Sequence, residues 1–277
     1  MFVKIFSWFV LLYSVSASNI LGFFAQPYRS QYVFVKPLFE ELAKRGHNLT
    51  IYTMFTNTKS PPKIYSEIDI KHCLPTFDAS RIDEAVNPTS VFQLLSIFKS
   101  AIPKSKNILQ CAPIAELIDS NDRYDLLLTG ILHNDWYVGF AYKFDVPMIN
   151  VFANTLLPWF VDTIGGITNP SYVPNLMNSD TEMNFFQRIN NLYLYVMMKI
   201  FGNFYLIEPS QVVANEIFGD DVPLLKEIVK NTSVTLYNAH FTRNKPMPLV
   251  PSLIQVGGMN VLDAKKLPEV GIQHIIC

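Results

Sequence analysis

The chain has 277 residues, of which 49% are hydrophobic, 13% aromatic and only 16% charged, and its formal net charge is −1. This near-neutral charge excludes the basic surface of a typical nucleic-acid-binding protein, so we expect no nucleic-acid partner. The charged fraction is below the roughly 25% typical of globular chains, which indicates large apolar surfaces that meet a membrane, a lipophilic ligand or another domain.

The first 18 residues are predicted to be a cleaved signal peptide. Lys4 precedes an almost wholly apolar run at residues 5–15, and small residues at 16–18 offer a cleavage site. The run is shorter than the roughly 20 residues that span a bilayer. We therefore expect a mature chain in the endoplasmic reticulum lumen or outside the cell, with a buried first strand as the alternative.

Strand and helix patterns alternate in the first half of the chain. Short apolar runs predict buried parallel strands at residues 19–25, 49–54, 68–74, 124–128 and 148–152. Amphipathic patterns predict helices at residues 32–45, 90–110 (interrupted near Pro103) and 135–144. This alternation predicts an α/β fold with a Rossmann-like, doubly wound parallel sheet.

The second half is less regular. Residues 153–183 are rich in Pro, Asn and Gly but contain aromatic residues, which favours a functional loop over disorder. Residues 182–205 predict a long helix that is either buried between layers or in peripheral contact with a membrane or ligand. Residues 234–238 predict the last strand, and the proline-rich stretch at 246–258 predicts an extended linker.

Other sequence features concern covalent modification and metals. Cys73 could pair with Cys111 in an oxidising compartment, but it falls in a predicted strand, and we expect it to pack as a small hydrophobic residue. Sequons at Asn231 and Asn48 predict N-glycosylation, with Asn231 favoured because it lies in a polar turn. The five histidines have no metal-ligand spacing, so no metal site is expected.

Five groups of short strings resemble, in order, those of UDP-glycosyltransferases, especially the insect type. They are residues 20–24 (ILGFF) and 27–30 (PYRS) with 37–50, 124–128 (YDLLL) with 139–147, 169–174 (NPSYVP), 183–188, and 237–258. Each string is weak alone, but together they cover nearly all of residues 19–258.

The resemblance implies the N-terminal, acceptor-binding lobe of a GT-B glycosyltransferase. It implies a signal peptide at 1–18, an acceptor-binding domain at 19–250 and a truncated interdomain linker at 251–277. The expected reaction is hexosyl transfer from a UDP-sugar to a small lipophilic acceptor, with no cofactor. Family chains continue into a donor-binding domain and a transmembrane helix, so we expect a fragment that is inactive alone. The alternative is a non-catalytic module that binds lipophilic ligands or pairs with a full-length relative.

The resemblance also implies positions for the catalytic groups. Family members deprotonate the acceptor hydroxyl with a His after the first strand, supported by an acidic residue after a later strand. The matching positions here are Gln31, which cannot accept a proton at neutral pH, and Gly130, which has no side chain. Asp135, together with His133, is a candidate substitute; alternatively, Asp135 is a helix N-cap in a polar loop.

An apolar acceptor requires an aromatic-lined cleft beyond the carboxyl ends of parallel strands. The loops expected there cover residues 26–31 and 153–172. We therefore expect the acceptor to contact Tyr28, Ser30, Gln31, Asn154, Trp159 and Tyr172.

Overall fold

A computed structural model describes residues 17–56, 63–74, 90–100, 102–131, 135–154, 158–166, 168–175, 182–240 and 248–261. The apolar run of the predicted signal peptide and His133 lie outside the described residues.

The strands are β1 (Asn19–Phe24), β2 (Asn48–Thr53), β3 (Ser66–Asp69), β4 (Leu126–Thr129), β5 (Met148–Phe152), β6 (Val234–Tyr237) and β7 (Leu253–Gln255). The helices are α1 (Arg29–Lys44), α2 (Val91–Ser100), α3 (Ser105–Leu109), α4 (Ala112–Asp119), α5 (Gly139–Phe144), α6 (Pro158–Thr163), α7 (Phe185–Gly202), α8 (Glu208–Phe218) and α9 (Leu225–Lys230). The described part of the chain also contains two short 3₁₀ turns, Lys71–Cys73 and Asp135–Val138, and a π-helical turn, Asn203–Ile207.

All seven strands form one parallel sheet in the order β3-β2-β1-β4-β5-β6-β7. Alternate side chains of β1 enter two different cores: Leu21 and Phe23 pack with α4, α5 and α8, whereas Ile20 and Phe24 pack with α1. Helices therefore cover both faces of the sheet. The predicted α/β, Rossmann-like, doubly wound class is confirmed, with the reversal of strand order between β1 and β4.

The structure corrects the prediction for Cys73. The strand predicted at 68–74 ends at Asp69, and Cys73 lies in the following 3₁₀ turn, disulfide-bonded to Cys111 with their Cα atoms 5.3 Å apart. The expectation of a free, packed cysteine was wrong, because the turn carries Cys73 out of the sheet to the start of α4.

The long helix near residue 190 is only partly covered. Asn191, Met198 and Gly202 of α7 are buried, but a stripe of large apolar side chains at spacings of three and four faces outward: Phe185, Phe186, Ile189, Leu192, Tyr193, Val196 and Ile200. The alternative of a helix buried between layers is therefore wrong. Among the described residues, no helix combines the length and hydrophobicity that crossing a bilayer requires.

Two further features were not predicted. Helices α8 and α9 occupy much of the interval between the long helix and β6. Within the predicted linker, Leu253–Gln255 pairs in parallel with β6 as the edge strand β7, so the sheet extends past residue 250.

Candidate functional site

The reversal of strand order brings the loops after β1 and β4 together at the carboxyl edge of the sheet. Gln26 follows β1 and is almost fully buried; its Nε2 donates to the Tyr137 hydroxyl at 3.0 Å. Tyr137 in turn donates to the backbone carbonyl of Gly130, directly after β4, at 2.6 Å. The three residues are thus joined by two successive hydrogen bonds across the switch point, the place between β1 and β4 where the strand order reverses. Doubly wound folds bind their ligands at this point.

Gly130, the position expected to carry an acidic side chain in the family, has no room for one. A Cβ at residue 130 would lie 2.8 Å from Gln26 Nε2 and 3.1 Å from the carbonyl oxygen of Val151. The Gln26 amide thus occupies the space that a side chain at residue 130 would enter. This is a physical reason for glycine at this position.

Gln31, the position of the expected base, is also structural. It lies in the first turn of α1, is buried, and its Oε1 accepts from the backbone N–H of Ala153, after β5, at 3.3 Å. The carbonyl of Ala153 accepts from Asn238 Nδ2, after β6, at 3.1 Å. Gln31 therefore links the start of α1 to the end of β5 directly and, through Ala153, to the end of β6.

Asp135 is the first residue of the 3₁₀ turn after β4. It lines a small cavity of ≈ 20 Å³ together with Ser210 of α8 and residues of α6 and α9. The residue is half-buried overall, but its Oδ1 is enclosed, and neither this atom nor the Ser210 hydroxyl has a hydrogen-bond partner among the described residues. Burial raises the pKa of Asp135 to about 7. A cavity of this size has room for one water molecule, which could bond to both groups.

Nothing in the described contacts links Asp135 to the expected base position. No hydrogen bond in the described part of the chain joins it to Gln31, and its Oδ1 caps no described backbone N–H. Its assignment as a substitute catalytic group stays a prediction.

The other predicted contact residues lie on separate elements of the chain. Tyr28 precedes α1 and packs partly against the core, whereas Ser30 and Asn154 are exposed. Trp159 lies in α6, and Tyr172 lies on the loop before α7 with 45% of its surface exposed.

That loop is held by one buried side chain. Asn191 of α7 is fully buried; its Nδ2 donates to the carbonyls of Pro170 and Val173 at 2.7 and 2.8 Å, and its Oδ1 accepts from the Asn175 N–H at 3.0 Å. A residue of the long helix, which the sequence did not single out, therefore positions Tyr172.

A larger cavity, ≈ 450 Å³, opens beside α1. It is lined by one face of α1 and by the segments that follow β2 and β3: Arg29, Tyr32, Val33, Lys36, Met54, Phe55, Thr56, Asp69 and Lys71. Its volume is in the range of small-molecule sites. Of the residues expected to contact an acceptor, the five whose side chains the structure describes (Tyr28, Ser30, Gln31, Asn154 and Tyr172) do not line this cavity.

A family model described as UDP-glucoronosyl and UDP-glucosyl transferase matches residues 28–275. UDP-glycosyltransferase UGT5 of Dactylopius coccus is 35% identical over 262 residues, which cover 91% of this chain and 49% of that protein. UDP-glucosyltransferase 2 of the same organism is 31% identical over 94% of this chain and 51% of its own length. The chain thus spans about half the length of these relatives.

Solved structures of related folds are more distant. The complex of Arabidopsis thaliana UGT89C1 with quercetin has 9% identity and a TM-score of 0.45, covering 94% of this chain and 55% of that one. The family match, which takes in most of the chain, rests on sequence. The chain belongs to the UDP-glycosyltransferase family.

Proposed function

We propose that this chain is the acceptor-binding half of a UDP-glycosyltransferase, the N-terminal lobe of a GT-B fold. Its role is to hold a small lipophilic hydroxyl compound for transfer of a hexose from a UDP-sugar. The UDP-sugar is a co-substrate that the donor-binding domain of the family holds, and no cofactor takes part.

The observation that carries this proposal is the switch point between β1 and β4. The segments after β1 and β5 meet there through the Gln31–Ala153 hydrogen bond. Phe152 and Phe160 stack in the core at the end of β5, with ring centroids 5.8 Å apart, and both are buried. Apolar and aromatic surroundings of this kind suit an apolar ring.

Gln31 and Gly130 supply no general base. A primary amide takes up no proton at neutral pH, and loss of a general base typically lowers a rate by about 10²–10⁴-fold. We therefore propose that the 277-residue chain binds acceptors without transferring sugar to them.

The test uses the mature chain, residues 19–277, titrated with neutral 2-naphthol and followed by tryptophan fluorescence. We expect saturable binding that Ser30→Trp weakens, because Ser30 is exposed at the start of α1. Ser96→Trp, an equally exposed change on α2, is the matched control. Absence of binding at high micromolar 2-naphthol would remove the acceptor-binding role.

The same samples, incubated with labelled UDP-glucose, test the inactivity. We expect no product above a protein-free control, and none after Gln31→His, because Gly130 still offers no acidic partner. Turnover that disappears in Asp135→Asn would instead show that Asp135 is the substitute base.

The second candidate is a binding module that sequesters lipophilic ligands or pairs with a full-length relative. The Gln26–Tyr137–Gly130 hydrogen bonds and the Gln31–Ala153 hydrogen bond favour it, because both positions of the expected catalytic pair then have structural roles. Co-expression with a full-length relative separates the two roles: a module that pairs changes the relative's kcat or KM, whereas an isolated acceptor half leaves both unchanged.

We also propose that the mature chain resides in the endoplasmic reticulum lumen or is secreted, in peripheral contact with membranes. The Cys73–Cys111 disulfide supports an oxidising compartment. The exposed apolar stripe of α7 supports the membrane contact.

A further inference from the structure

The lining of the cavity beside α1 contains more cationic than anionic side chains. Three cationic side chains, Arg29, Lys36 and Lys71, line it against one carboxylate, Asp69. Asp69 is already engaged, since its Oδ1 accepts from the backbone N–H of Lys71 at 2.8 Å. The lining therefore carries an excess of positive charge.

Two neighbouring acids have other partners. Glu67 accepts hydrogen bonds from the hydroxyls of Tyr32 and Tyr65. Glu40 is 4.0 Å from Lys36, a distance at the limit of an ion pair. Within the described ranges, no ion pair involves Arg29 or Lys71.

The dipole of α1 adds to the positive electrostatic potential in the cavity. Arg29, Tyr32, Val33 and Lys36 follow helical spacing and so share the face that lines the cavity. The cavity adjoins the N-terminal turn of α1, which holds no acidic residue, so the unopposed helix dipole also favours an anion.

Apart from Thr56, the remaining lining is apolar or aromatic. Tyr32, Phe55, Val33 and Met54 provide the surface against which a flat ring can pack. Tyr32 and Phe55 lie with their ring centroids 6.2 Å apart. Cations beside aromatic walls match a ligand that carries both an aromatic ring and an anionic group.

We propose that this cavity binds an anionic aromatic compound, with a carboxylate or an equivalent acid group held by Arg29 and Lys71 and the ring packed against Tyr32 and Phe55. This cavity is a second binding site, beyond the proposed acceptor role, because none of Tyr28, Ser30, Gln31, Asn154 and Tyr172 lines it.

The test compares two probes of nearly equal shape, 2-naphthoate and 2-naphthamide, on the mature chain at neutral pH and low salt. We expect naphthoate to bind at least about tenfold more tightly, and the preference to shrink as salt is added. The Arg29→Gln/Lys71→Gln variant should bind both probes equally. Lys104→Gln/Lys106→Gln, two exposed cations near α3, changes the net charge equally and should keep the preference.

A cavity-filling variant locates the site independently of charge. Val33 lines the cavity with 46% of its surface exposed, so Val33→Trp fills the space without entering the core, and we expect it to abolish naphthoate binding. Equal binding of acid and amide by the unmodified chain, or equal loss in both charge variants, would overturn the proposal.

The acceptor role is judged separately by 2-naphthol. Binding of 2-naphthol without a preference for naphthoate over naphthamide would overturn the proposed anion site and leave the acceptor role intact. Naphthoate binding that Val33→Trp abolishes, without any 2-naphthol binding, upholds the anion site and removes the neutral-acceptor role.

Discussion

The side-chain amide of Gln26 stands where a side chain of Gly130 would be, 2.8 Å from the position of its missing Cβ. The two residues are 104 positions apart in the sequence and meet only because β1 and β4 are neighbours in the sheet. The Gln26 amide thus fills the space between β1 and β4 at the switch point of this chain.

Gly130→Ala is expected to displace Gln26 and break its hydrogen bond to Tyr137, lowering the free energy of unfolding by about 1–3 kcal/mol. Urea denaturation measures this loss. In the Gln26→Ala background the same change should cost less, because the closest neighbour has gone while the Val151 carbonyl remains. Strict additivity of the two changes would show that the residues do not contact each other.

Asp135 makes stability depend on pH. Burial raises its pKa from 3.8 to about 7, so between these values the folded chain holds a proton that the unfolded chain releases. Stability is therefore expected to fall as pH rises from about 4 to about 7, by at most about 1.4 kcal/mol per pH unit from this group.

Denaturation across this pH range checks the assignment. Asp135→Asn should flatten the dependence, because it removes the titrating group and keeps its shape. Asp220→Asn, an exposed neighbour of the α8 terminus, should leave the curve unchanged. A dependence that persists in Asp135→Asn would assign the titration to another group.

Asn191→Ala is expected to release the loop that carries Tyr172. It removes three hydrogen bonds from a buried site and leaves the carbonyls of Pro170 and Val173 without their donor, a cost of about 2–4 kcal/mol. Limited proteolysis should cut near residues 168–175 sooner than in the unmodified chain. Asn190→Ala, its exposed neighbour on α7, is the control and should not change the cutting pattern.

The apolar stripe of α7 is expected to bind membranes. Phe185 and Phe186 are 69% and 78% exposed, so Phe185→Ser/Phe186→Ser should reduce co-sedimentation with phospholipid vesicles several-fold without loss of stability. Leu109→Ser/Leu224→Ser removes two exposed apolar side chains outside α7 and should bind as before. Equal sedimentation of both variants would place the contact elsewhere.

Asn231 is expected to carry an N-glycan when the chain enters the secretory pathway. It ends α9 in an exposed turn, where a glycan meets no obstruction. Asn48 is also exposed at the start of β2, but its Nδ2, the atom a glycan would occupy, donates to Asn19 Oδ1 at 3.1 Å. Asn231→Gln should therefore remove the glycosidase-sensitive mass shift in secretory cells, and Asn48→Gln should not.

The sequence predicted the strands better than the connections between them. The bounds of β5 were predicted correctly, because an apolar run follows the turn at Asp145, whose φ of 51° marks a left-handed helix end. By contrast, Cys73 extended an apolar run beyond β3, although its burial comes from a turn and a disulfide. Local hydrophobicity does not distinguish these causes.

The sequence predicted individual residues of the candidate site but not the contacts between them. Resemblance identified Gln31 and Gly130, but their partners Ala153 and Gln26 lie more than 100 residues away in the chain. Such contacts depend on strand order, which no local pattern encodes. Gln26 did carry one signal, a polar residue at the end of an apolar strand.

The Cys73–Cys111 bond spans 38 positions, including the chain between β3 and α2. A protease that cuts once within this span produces a nicked molecule whose two fragments remain covalently joined. On a gel without reducing agent the nicked chain would run as a single band, and only reduction would divide it. Homogeneity of a preparation of this protein is therefore to be judged on reduced samples.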